Sequence, residues 1–129
     1  MLEKMLTMKL LKEKYGVCRL NKTELIPKWV QNSDFFSITR TTDELLIVCP
    51  QDDIPSDVQY EREWRSLKVE GILDFYLIEI LTSIRRILEQ KGICIFVIYV
   101  YDTDYILVKN NDINNFVELL IKEGYKVME

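Results

Sequence analysis

Two aspartates, Asp102 and Asp104, follow Tyr101 in a short polar break between apolar runs. A carboxylate can accept a charge-assisted hydrogen bond from a cationic group. The plainer reading is local turn capping by the aspartate side chains. Earlier in the chain, Gly71-Ile72-Leu73-Asp74 leads from a strand pattern into a helix pattern. The free N–H groups and dipole of a helix start suit a carboxylate, and Gly71 lets backbone approach closely. Here the plainer reading is a strand-to-helix turn with Asp74 as N-cap.

Other chemistry is poorly supplied. The chain has no histidine, which removes Ser-His-Asp and Cys-His nucleophilic sites, imidazole zinc sites and the commonest general base. Its four glycines are too scattered for a phosphate-cradling loop. The three cysteines, Cys18, Cys49 and Cys94, have no CxxC spacing, and each sits in an apolar run, so buried reduced thiols are expected. No metal or cofactor is expected, and no catalytic residue stands out. The net charge of −4 argues against a nucleic-acid surface. No apolar run approaches the ~20 residues of a membrane span, and Met1-Leu-Glu-Lys-Met lacks a signal-peptide pattern. A cytoplasmic protein is expected.

The elements that must position these residues are clearest in the second half. Trp64–Glu70 alternates like a strand ending at Gly71. From Phe75 to Lys91, Leu77, Ile80, Leu81, Ile84, Ile87 and Leu88 recur at helical steps, leaving Glu79, Arg85, Arg86 and Glu89 on a solvated face. Gly92 stops that helix. Ile93–Val100 is apolar on both faces and predicts a central strand. A turn over Tyr101–Asp104 precedes a return strand at Tyr105–Val108. Asn110 or Asn111 caps a second helix with inner positions Ile113, Phe116, Val117, Leu120 and Ile121. Gly124 ends it before a short strand at Tyr125–Val127. The order β-α-β-β-α-β is the ferredoxin-like plan. In the first half, Met5–Lys12 and Tyr15–Leu20 read as strands around a Glu13-Lys14 bend. A short helix starts near Pro27, and Phe35–Thr41 and Leu45–Cys49 read as a hairpin. Arg40 is a surface strand residue.

Several stretches carry a family resemblance. Tyr15-Gly-Val-Cys-Arg-Leu20, Phe35–Pro50, Trp64–Phe75 and above all Gly92-Ile-Cys-Ile-Phe…Tyr101-Asp-Thr-Asp-Tyr-Ile-Leu-Val108 resemble small bacterial tandem ACT-domain proteins. They are also similar to the ACT units of the eukaryotic cytosolic arginine sensors (the CASTOR proteins) and of aspartate kinase regulatory domains. The resemblance implies an α+β fold of two ferredoxin-like ACT-type subdomains: an irregular one over residues 1–62 and a complete βαββαβ domain over 63–129. It implies a regulatory module that binds a small molecule, expected to be an amino acid, where the β1–α1 loop of one unit faces strand β2 of another. Carried over, the ligand residues are Gly71, Ile72, Leu73, Asp74, Ile93, Cys94, Ile95, Tyr101, Asp102 and Asp104. Ile93–Ile95 would contribute mainly backbone, or simply be core strand. Asp104 matches the position that pairs with the ligand's positive group. Tyr101 would form an aromatic wall, or pack. The family's Ser-Thr before Tyr-Asp-Thr-Asp is replaced here by Tyr99-Val100, and Ser83–Leu88 is bulkier than the family pattern, so ligand identity does not carry over.

Four functions are weighed. An allosteric amino-acid sensor comes first, expected as a homodimer. A ligand-free structural or dimerisation module, covering its sheet edges with a second copy, is the alternative. RNA binding lacks a basic, aromatic sheet, and a small phosphatase lacks machinery. An enzyme is not expected, nor a nucleic-acid or membrane partner.

Overall fold

The computed structural model describes residues 7–70, 82, 85–100 and 103–129. Gly71, Ile72, Leu73, Asp74, Tyr101 and Asp102 lie outside these, as does most of the expected Phe75–Lys91 helix. The chain forms two compact units: Glu13–Trp64, and Met1–Lys12 with Arg65–Glu129. The strand at Thr7–Leu10 thus groups with the C-terminal residues.

In the Glu13–Trp64 unit, β2 (Tyr15–Leu20) pairs antiparallel with β4 (Leu45–Pro50), and β4 pairs antiparallel with β3 (Ser37–Arg40). The other neighbour of β2 is the start of β5 (Glu61–Glu70). Two short 3-10 turns, Lys28–Asn32 and Gln51–Asp53, cover the ladder. Pro27 precedes the first of them, where its missing N–H costs nothing. Alternation along β4 sends Leu45, Ile47 and Cys49 into one core with Cys18, Val30 and Ile54. Gly16 sits in close approach: a Cβ there would lie 2.5 Å from Ile54 Cδ1 and 2.7 Å from the Tyr60 ring, so one of those side chains would have to shift.

That crowding coincides with a bulge. Tyr15 faces Trp64 and Val17 faces Glu61, so β5 carries one residue more than β2 between these pairs. Glu63 takes up the excess in the left-handed region, at φ +62°. Its carboxylate accepts hydrogen bonds from Lys14 Nζ (2.9 Å) and Gln51 Nε2 (2.6 Å), and its N–H donates to Gln51 Oε1 (2.9 Å). These partners hold a backbone conformation that a side chain otherwise disfavours.

In the other unit, β1 (Thr7–Leu10) is antiparallel to the second half of β5 and parallel to β8 (Lys126–Met128). Strand β7 (Asp104–Lys109) pairs with β5 and with β6 (Ile95–Tyr99). The order β6-β7-β5-β1-β8 is the ferredoxin-like plan with one additional strand, because β1 separates β5 from the final strand. The strands expected on either side of the Glu13-Lys14 bend are present as β1 and β2, and their ladder partners are β5 and β8 for β1 and β4 and β5 for β2. Two helices complete the unit: α1, helical over residues 85–91, and α2 (Asn110–Lys122). Leu88 and Ile93 join Met8, Leu67, Val69, Ile106, Val108, Ile113, Phe116 and Leu120 in its core. The architecture is mixed α+β, of the ferredoxin-like type.

Four local expectations change. Strand β6 pairs with β7 alone among the described residues, so it is an edge strand, half-buried along Ile95–Ile98. Its apolar character comes from packing against one strand and the helix layer, not from central placement. Cys94 is exposed, because alternation from buried Ile93 turns it to the other side. The cap position of α2 is Lys109, whose side chain makes no capping bond, and Asn110 is already helical. Ile121 is exposed while Leu119 is buried, a rotation of the inner stripe that the equal hydrophobicity of the two residues conceals.

Candidate functional site

The site begins with how α1 ends. Gly92 has φ +70°, the left-handed conformation that closes a helix. Its N–H donates to the Glu89 carbonyl (3.2 Å), and the Ile93 N–H donates to the Leu88 carbonyl (2.9 Å). This paired pattern satisfies two carbonyls of the last turn and sets the Leu88 and Ile93 side chains against each other. Strand β6 starts two residues later and leaves one side open. Between α1 and β6 lies a groove of about 350 Å³, lined by Thr82, Arg85, Leu88, Glu89, Ile93, Ile95 and Tyr99.

Its floor is apolar: Leu88 and Ile93 are buried and Ile95 half-buried. Its rim is polar. Arg85 Nε and Glu89 Oε1 are 3.3 Å apart, one helical turn along α1, and both side chains are largely exposed. Such a solvated pair contributes at most about 0.5 kcal/mol to the fold, so little stability is lost if a ligand takes over either partner. Tyr99 stands at the end of β6 with 59% of its surface exposed.

The ligand residues expected from sequence are distributed as follows. Ile93 and Ile95 line the groove. Cys94 lies between them in sequence but is not among the lining residues. Asp104 is the first residue of β7 rather than part of a turn, is 3% exposed, and pairs across the ladder with Tyr99. The remaining six are outside the described residues. The sequence placed Leu88 on a buried helix face, Arg85 and Glu89 on a solvated one, and Tyr99 at a departure from the family pattern, and assigned neither these nor Thr82 to a ligand. An i, i+4 Arg–Glu pair on a helix reads as solvation, and only the helix stop at Gly92 signalled that this face meets a strand.

Cys94 is an exposed thiol, whereas Cys18 and Cys49 are buried. Burial pushes the Cys18 thiol up to about 11. Burial, then the neighbouring Cys18 and Asp53, push Cys49 up to about 12. Both are protonated and unreactive near neutrality. Among the described residues, no three His, Cys, Asp or Glu side chains gather as a metal site would need. No described helix is long and apolar enough to cross a membrane.

Comparison with known proteins agrees with this architecture. The ACT domain family matches residues 59–122, and a family defined as an N-terminal domain matches residues 13–57. The crystal structure of protein Atu0741 from Agobacterium tumefaciens is 39% identical, superposes with a TM-score of 0.84, and the match covers 95% of this chain and 92% of that one. The chain belongs to this family of ACT-domain proteins. A Vibrio cholerae protein of unknown function, VC0802, described as a possible transport protein, shares the fold at 15% identity, with a TM-score of 0.72 over 95% of this chain and 93% of that one. No curated protein matches. ACT domains are regulatory ligand-binding modules, and no catalytic family is indicated.

Proposed function

We propose that this chain is a non-enzymatic, cytoplasmic regulatory module that binds an amino acid through its ACT domain, in the groove between α1 and β6. The observation that carries the reading is the groove itself: among the described lining residues, an apolar floor with one cation and one anion on its rim. A free amino acid presents a carboxylate and an ammonium on one carbon, and both must be matched or their desolvation is uncompensated. Arg85 and Glu89 supply one partner for each. A volume of about 350 Å³ is at the small end of ligand pockets, suited to an amino acid rather than a nucleotide. The resemblance to the CASTOR and aspartate kinase ACT units points the same way.

A second reading has its own support. Among the described residues strand β6 is an edge, with Tyr99 and Val100 exposed at 59% and 49%. A homodimer formed along that edge would need no ligand. Thermal shift against the twenty amino acids, with solution mass measured in parallel, separates the two. The sensor reading expects a higher melting temperature with one or a few amino acids at millimolar concentration. A doubled mass with no amino acid stabilising the protein would favour the structural module.

A further inference from the structure

Resting on the amino-acid reading above, we infer that the α1–β6 groove selects amino acids with an uncharged, apolar side chain, such as leucine or isoleucine, over basic and acidic ones. The charge inventory is the first argument. The described lining holds one cation, Arg85, and one anion, Glu89, already neutralising each other at 3.3 Å. A zwitterion laid across them exchanges one balanced pair for two, with its carboxylate to Arg85 and its ammonium to Glu89. Both rim groups are then used. A third charge, on the ligand side chain, has no counter-charge left among the described lining residues.

The second argument is where that side chain goes. Beyond the rim it meets Leu88, Ile93 and Ile95, which carry no polar side-chain atom. A guanidinium, ammonium or carboxylate placed there gives up hydration without a replacement hydrogen bond, whereas a branched alkyl group gains from leaving water. A cation over the Tyr99 ring does not reverse this, because that ring is mostly in water and cation–π attraction is weakest at exposed sites.

The test is calorimetric titration of the full chain with L-leucine, L-isoleucine, L-arginine and L-aspartate, together with 4-methylpentanoate and isopentylamine, which keep the leucine side chain but lack the ammonium or the carboxylate. L-Leucine or L-isoleucine is expected to bind roughly tenfold or more tightly than L-arginine or L-aspartate, and each truncated analogue to lose about tenfold. Arg85→Ala and Glu89→Ala are each expected to weaken leucine binding several-fold. As both residues are exposed, an unchanged melting temperature will show that these variants remain folded. Tighter binding of L-arginine or L-aspartate would overturn the inference and leave the amino-acid reading standing. Leucine binding that neither variant alters would overturn it by placing the site elsewhere. Binding by none of the twenty amino acids would remove both.

Discussion

At the scale of single residues, Glu63 is the most constrained position described. It occupies a left-handed backbone conformation and holds it through Gln51 and Lys14. Glu63→Ala removes the carboxylate and keeps the strain, while Glu63→Gly removes both. The glycine variant should therefore melt a few degrees above the alanine variant. The hydrogen bond from Gln51, then that from Lys14, holds the Glu63 carboxyl below the usual glutamate range. A carboxyl whose folded pKa is depressed stabilises above its unfolded pKa and loses that effect as pH falls through the folded value. The stability gap between the native protein and Glu63→Gln should thus be present at neutral pH and close below about pH 4. Paired pH titrations of denaturant midpoints would measure it. The cysteines give a second residue-scale prediction. A thiol reagent at pH 8 should label Cys94 in the native protein and reach Cys18 and Cys49 only after unfolding, as peptide mass mapping would report.

At the scale of elements, the Gly92 turn is what joins α1 to the groove. Nothing lies within 4 Å of a Cβ built there, so the obstacle to substitution is the positive φ alone. Gly92→Ala should cost about 1–2 kcal/mol in urea unfolding and weaken whatever ligand depends on Leu88 and Ile93. This stop was legible in the sequence, as were the inner positions Ile113, Phe116 and Leu120 of α2 and the β-α-β-β-α-β order, because helical and strand periods differ plainly over such lengths. Edge or centre was not legible for Ile93–Val100: a strand covered by a helix and one neighbour is nearly as apolar as a central one. Nor was the depth of Asp104, since an aspartate before a strand has the same composition signature whether it caps a turn or enters the core. Of the groove lining, Ile93 and Ile95 were singled out by family resemblance and Arg85 and Glu89 were not. Their spacing is that of any solvated pair, and their meaning comes from a strand that only folding places beside them.

At the scale of the whole molecule, β1 decides more than its four residues suggest. Met8 is fully buried between β5 and β8, opposite Val69 on one side and Val127 on the other. Met8→Ala should cost about 2–5 kcal/mol, measured by chemical denaturation. Composition alone did not reveal this, because a short strand at one end of the sequence carries no mark of its distant partner. The pairing of β1 with β8 also has a consequence in time. On a ribosome, β1 emerges almost a whole chain length ahead of the strand that completes its parallel ladder. During that interval its outer edge has no native partner, so the unit it belongs to cannot close until translation has passed Lys126–Met128. The Glu13–Trp64 unit contains its own β2–β4 and β3–β4 pairings and has no such wait. Synthesis thus offers a staggered order, the middle of the chain maturing first and the unit that holds β1 and β8 last, with β1 exposed to mispairing until its far partner arrives.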